Sequence, residues 1–281
     1  MSSDVEDRRG SSGGGGFGFG GGGLGIIGFV FLLIISLITG RNYIGAYLSG
    51  GGHVATTSNR PVQSSPAEER SAQLVSFVLD DVQKTWTAVL PEQTGKQYRH
   101  AHLVLFRDYT QSNCGVAQSQ TGPFYCPADE KVYIDLSFWD ELRRLGGSSG
   151  EFAQAYVVAH ELGHHVQNIL GIERQMRQLA ERNPSQQNPL SVRLELQADC
   201  LAGVWGHSAA QRGIVHEEDV NDGLKAAAAV GDDHIQKMSR GAVSPESFTH
   251  GSSAQRQQWF MRGLESGDVN QCNTFQAGGS F

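Results

Sequence analysis

The rhythm of apolar and polar positions changes several times along the chain. Residues 1–23 are polar and then Gly-rich (SSGGGGFGFGGGG), with no period of two or of 3.6. This composition predicts disorder. Leu24–Gly40, LGIIGFVFLLIISLITG, is an unbroken apolar run without a charge. Residues 41–65 are again aperiodic and rich in Gly, Ser, Thr and Pro, as in a linker. A folded domain is expected over 66–281. It opens with PAEERSAQLVSFVLDDVQKTWTAVLPE, in which Val75, Leu79, Val82, Trp86 and Val89 recur at helical spacing. Ser65 is placed to cap this helix, Pro66 suits its first position, and Pro91 is expected to end it. AHLVLFRDYT and KVYIDLSF have the short, β-branched character of strands. After Gly150 the period becomes helical and stays so, with helices expected near 151–170, 172–182, 189–207, 217–230 and 253–265. The fold class is therefore α+β: a helical body with a small sheet, and no internal repeat.

The apolar run changes the picture from a soluble domain to a membrane-attached one. With its flanking glycines it approaches the ~20 residues that a spanning helix needs. An uncleaved single-pass anchor is the reading adopted. A cleaved signal peptide is the alternative, but no small-x-small cleavage site follows. Arg8 and Arg9 precede the run and Arg41 follows it. Positive charge on the first side places the N-terminus in the cytoplasm and the domain outside.

Cys114, Cys126, Cys200 and Cys272 are the four cysteines, and none forms C-x-x-C. Outside the cytoplasm an even set suits disulfides. Cys114 with Cys126 would close a small loop, and Cys200 with Cys272 would pin the C-terminal tail. The net charge of −7 and the scattered basic residues give no footprint for nucleic acid.

The candidate chemistry lies in VVAHELGHHVQ, residues 157–167. On a helix His160 and His164 share one face, and Glu161 follows the first. This is H-E-x-x-H, in which two imidazoles bind Zn²⁺ and the glutamate serves as general base toward water. His165 lies about 100° round the helix from His164, so it is read as a surface or supporting residue. A hydrolytic zinc takes three protein ligands. Glu195, Asp199, His207, His216, His234 and His250 are candidates for the third. RLELQADC, residues 193–200, is decisive: Glu195 and Asp199 are four apart on an otherwise apolar helix. Buried acids need partners. One carboxylate can bind metal while the other accepts the free ring N–H of a ligating histidine.

HELGH followed by ELQAD resembles gluzincin-type metallopeptidases. More closely, VVAHELGHHVQ, LELQADCLAGVW, THGSSAQRQQWF and the Gly-rich N-terminus resemble the bacterial family called putative neutral zinc metallopeptidases. The resemblance runs from about residue 66 to the end. It implies a zincin-like domain with one Zn²⁺ per chain. It makes His160, His164 and Glu195 the ligands, Glu161 the base, and Asp199 the support of a ligating histidine. His250 and Arg256 match in spacing a His and an Arg of CAAX-prenyl-protease-like enzymes, which implies an oxyanion donor in His250. There a Pro follows the His; here Gly251 does.

These expectations describe a zinc metallopeptidase on the bacterial inner or plasma membrane, acting outside the cytoplasm on protein or peptide substrates. A strand from HLVLF or VYIDL is expected to pair with extended substrate. The rival readings are a non-catalytic zinc-stabilised binding module and a zinc amidase of cell-wall peptides. A cysteine ligand, Cys200 in place of Glu195, is a further alternative.

Overall fold

The computed structural model describes residues 1–10, 64–148 and 150–275. The apolar run Leu24–Gly40, the linker as far as residue 63 and residues 276–281 lie outside the described residues. Among the described residues no helix is long and apolar enough to cross a membrane.

Two layers form, a small sheet and a helical body. The strands are β1 (Val5–Asp7), β2 (His102–Phe106), β3 (Tyr109–Ser112), β4 (Gly115–Gln118), β5 (Phe124–Cys126) and β6 (Lys131–Asp135). The helices are α1 (Pro66–Thr94), α2 (Phe138–Arg144), α3 (Glu151–Leu170), α4 (Ile172–Arg182), α5 (Gln187–Gln211), α6 (Glu217–Ala229), α7 (Asp232–Arg240) and α8 (Ser253–Ser266). The α+β reading therefore stands.

α1 starts as its sequence predicts: Glu68 N donates to Ser65 Oγ at 3.1 Å, with Pro66 in the first turn. It runs one turn beyond Pro91. A proline this close to the end removes one ladder bond only, and Gly95, at φ 72°, closes the helix by donating its N–H to Pro91 O. Val75, Leu79, Val82 and Trp86 are fully buried against the sheet and helical body.

The main sheet has the order β1-β2-β6-β5. β1 and β6 both run parallel to β2, and β5 is antiparallel to β6. β3 and β4 form a separate hairpin. Two expectations need correction here. HLVLF (β2) and VYIDL (β6) are interior strands, so neither is an edge open to substrate; the edges are β1 and β5. The N-terminal stretch, expected to be disordered over 1–23, supplies an ordered edge strand in its first ten residues. Val5, Glu6 and Asp7 pair with Leu103, Val104 and Leu105. Charge fixes it further: Arg9, 5 % exposed, meets Asp7, Glu68 and Glu69, while Glu6 pairs with Lys131.

The helical body is built on α3 and α5, with α8 pressed against α5. A Cβ on Gly263 would sit 1.9 Å from Cys200 O, and one on Gly203 would sit 2.1 Å from Phe260 O. Only glycine permits backbones this close. Both disulfides form as expected. Cys114–Cys126 ties the β3–β4 hairpin to β5, and Cys200–Cys272 ties the tail to α5.

Candidate metal centre

α3 and α5 cross at Gly163, where a Cβ would lie 3.0 Å from Ala198 O. The space left by this glycine is filled by α5 itself, which brings RLELQADC against HELGH. Val158, Leu162 and Val166 are wholly buried on one side of α3, with Val157 nearly so. The histidines face α5.

His160 Nε2 lies 3.2 Å from Glu195 Oε2, and His164 Nε2 lies 3.6 Å from Glu195 Oε1. One ligand atom from each of the three residues falls within 4.8 Å of the others. A tetrahedral zinc with bonds of about 2.0–2.1 Å holds its ligand atoms roughly 3.3 Å apart, so a small inward adjustment suffices. The donor set, two imidazoles and one carboxylate, is that of a catalytic zinc. The residues present fit the ion.

Of the other candidates for the third ligand, His207 and His234 are engaged elsewhere. His207 Nδ1 donates to Leu264 O, and His234 Nε2 donates to Leu145 O. His216 is exposed at the start of α6. Cys200 is in a disulfide and offers no thiolate, which removes the cysteine-ligand alternative. Asp199 meets the other ring nitrogen of His160. His160 Nδ1 donates to Asp199 Oδ1 at 2.8 Å, which leaves Nε2 to face Glu195. Asp199 is fully buried, yet Arg256 Nε and Nη2 reach its two oxygens at 2.8 and 2.9 Å. Tyr156 O–H donates to it as well. Burial opposes its charge, and Arg256 and His160 outweigh that and hold its pKa below the usual value.

Glu161 is 7 % exposed and its carboxylate makes no hydrogen bond among the described residues. Burial raises its pKa, against the opposing pull of His160 and His164. A carboxylate so tuned is a better proton acceptor.

Burial pushes the Glu195 carboxyl up, but the charges of His164, His250 and His160 outweigh it and hold its pKa below the usual value. The His250 loop is organised by Asp232, at the start of α7. Asp232 Oδ2 accepts the backbone N–H of Thr249, His250 and Gly251 at 2.7, 2.6 and 3.0 Å, and Oδ1 lies 3.4 Å from His250 Nδ1. The departure at Gly251 now has a reason. Its φ is +92° and its N–H is used; proline can supply neither.

His165 requires correction. It is fully buried between Tyr98 and Tyr125, not at the surface. Its Nε2 donates to Arg99 O at 2.7 Å, so Nδ1 accepts from Tyr125 O–H at 2.9 Å. Burial lowers its pKa, in keeping with a neutral ring. It thereby fixes β5, the edge strand nearest α3. Sequence reasoning also passed over Tyr156, Gln167 and Asp232. Tyr156 is four residues before His160, an aromatic on the metal face, and that spacing was the available signal.

A family model described as putative neutral zinc metallopeptidase matches residues 1–275. The chain is 49 % identical over 278 residues to the uncharacterized protein YpfJ of Escherichia coli (strain K12), covering 98 % of this chain and 96 % of that protein. It is 44 % identical over 209 residues to the uncharacterized protein Rv2575 of Mycobacterium tuberculosis (strain ATCC 25618 / H37Rv), covering 70 % and 68 %. No solved structure matches. With nearly its whole length matched, the chain belongs to the putative neutral zinc metallopeptidase family.

Proposed function

We propose that the protein is a zinc-dependent metallopeptidase with a zincin-like site, hydrolysing peptide bonds in protein or peptide substrates. The observation that carries this is the convergence of Glu195 with His160 and His164, on the helix that also carries Glu161, a residue 7 % exposed. A structural zinc is ringed by four protein ligands; three ligand groups gather here among the described residues. That favours a site with a position left for chemistry.

When bound, zinc acidifies a water and polarises the scissile carbonyl. Glu161 accepts the water's proton and delivers it to the leaving amine. His250, held by Asp232, donates to the oxygen on which negative charge grows. Asp199 keeps the His160 ring turned toward Glu195. β5, an edge of the main sheet, is the strand we assign to pairing with an extended peptide.

Action outside the cytoplasm of a bacterial cell, with Leu24–Gly40 attached to the membrane without a single crossing, belongs to the same proposal. The two disulfides support an oxidising compartment. β1 adds a constraint. The pairing of β1 with β2 supports a shared compartment for residues 1–10 and the domain. We therefore place residues 1–10 and the domain together, on the outer side of the inner or plasma membrane.

The test is metal analysis of the purified protein, followed by incubation with a mixed peptide library beside Glu161→Gln. One zinc per chain in both proteins, with cleavage by the parent only, is expected. Absence of zinc from the parent, or undiminished cleavage by the variant, overturns the proposal.

A further inference from the structure

Asp199 explains the orientation of His160, but His164 also needs one nitrogen free and the other occupied. Its Nδ1 lies 2.8 Å from Gln167 Oε1, one turn further along α3. Gln167 is fully buried, and its Nε2 reaches Leu194 O at 2.7 Å and Gln197 Oε1 at 3.0 Å. Gln197, itself buried, uses its Nε2 to reach Cys272 O at 3.0 Å.

The direction of this chain is not free. A backbone carbonyl only accepts. Cys272 O therefore requires the amide nitrogen of Gln197, which turns Gln197 Oε1 toward Gln167. Leu194 O and that oxygen both require the amide nitrogen of Gln167. Gln167 Oε1 is then the atom presented to His164, and only an Nδ1–H can answer it. With the proton on Nδ1, the lone pair of Nε2 faces Glu195.

We propose that Gln167 is a positioning residue for the metal centre: it fixes His164 in the Nδ1–H tautomer through an amide chain whose polarity is set by Leu194 O and Cys272 O. The inference rests on the zinc site proposed above and extends it to a side chain outside the HELGH and ELQAD motifs. It also gives the Cys200–Cys272 bridge a second consequence. By pinning the tail on α5, the bridge holds in place the carbonyl that orients the chain of amides.

The experiment measures zinc affinity by chelator competition for the parent, Gln167→Leu and Gln167→Glu, each checked for folding by circular dichroism. Gln167→Leu removes the acceptor, and a loss of about 10–100-fold is expected, as for other outer partners of ligating histidines. Gln167→Glu keeps an acceptor at Nδ1 but sets a carboxylate oxygen against Leu194 O and Gln197 Oε1, so it is expected to recover only part of that loss. A folded Gln167→Leu that binds zinc as tightly as the parent overturns the proposal. Should neither variant fold, the parent decides alone: its nitrogen NMR spectrum is expected to show the His164 proton on Nδ1 in the zinc-loaded protein, and a proton on Nε2 overturns the assignment. A parent that binds no zinc is a different result, and it removes the metal-site reading itself.

Discussion

Asp199 receives His160 Nδ1–H on the same carboxylate oxygen that Arg256 Nη2 contacts at 2.9 Å, so the imidazole and the guanidinium are held by one fully buried acid. Removing that acid strands two groups at once. Asp199→Asn retains an acceptor oxygen but loses the charge that faces Arg256. It is expected to weaken zinc binding by about 10–100-fold. Asp199→Ala leaves Arg256 buried without its counter-charge and is expected to lower stability by about 3–5 kcal/mol. Chelator competition measures the first effect, and urea unfolding in the absence of metal measures the second. A stability loss in Ala without an affinity loss in Asn would separate the structural role from the metal-orienting one.

His250 is expected to act on turnover and not on metal retention. His250→Ala should keep its zinc and lose about 100-fold or more in kcat, the scale of one lost oxyanion donor. Asp232→Ala should reproduce that loss, because three backbone N–H groups of the His250 loop are gathered on Asp232 Oδ2. Steady-state kinetics with zinc content measured on the same samples checks both. If His250→Ala changes KM alone, the residue binds substrate and does not stabilise developing charge.

The start of α1 and the break between α3 and α4 were legible because their punctuation is local. Ser65-Pro66 opens α1, and Gly171, at φ 76°, separates α3 from α4 where the glycine stands in the sequence. α7 escaped notice because DDHIQKMSR carries only Ile235 and Met238 as apolar residues. β1 was invisible for a deeper reason. VED has no alternation to read; its order comes from pairing with β2, some hundred residues away, and from ion pairs with Glu68, Glu69 and Lys131. The same distinction divides the site. HELGH and ELQAD announce themselves by spacing within one helix. Asp232 becomes meaningful only beside a loop 17 to 19 residues further on. Gln167 becomes so only when α5 and the tail lie against it. His165 was misplaced because the rings that bury it, Tyr98 and Tyr125, come from outside α3.

Protonation should move the metal-free and zinc-loaded proteins in opposite directions. In the metal-free site, burial disfavours a charged His160, but Asp199 and Glu195 outweigh it and raise its pKa to about 10. A raised folded-state pKa stabilises the fold fully below the unfolded value of about 6.5, and that contribution is lost as pH climbs toward 10. Glu195 and Asp199, both lowered, contribute above their ordinary values of 4.5 and 3.8 and lose that contribution in more acid solution. Zinc binding must displace the His160 proton, so its affinity rises with pH over the same alkaline range. Thermal melting from pH 6.5 to 9.5, with chelator or with excess zinc, is expected to show a gap in Tm that widens as pH rises. A gap that narrows would mean that His160 does not give up a proton to bind the metal.

The pairing of β1 with β2 makes a prediction about topology that can be read in intact cells. Ser3 precedes the strand and is exposed, and Ser185 is exposed before α5. Cysteines placed at either position should react alike with a membrane-impermeant maleimide, because a hydrogen-bonded strand pair cannot lie on two sides of a bilayer. Labelling of both before lysis is expected, in line with the oxidising compartment that the disulfides favour. Arg9→Ala serves as the companion variant. Arg9 is almost completely buried among Asp7, Glu68 and Glu69, and its loss should release β1 to protease while Ser185→Cys remains labelled. Labelling at Ser185→Cys without labelling at Ser3→Cys would put the two ends of the 11–63 stretch on opposite faces. β1 could not then be the partner of its own chain's β2, and the single crossing suggested by Arg8 and Arg9 would be restored.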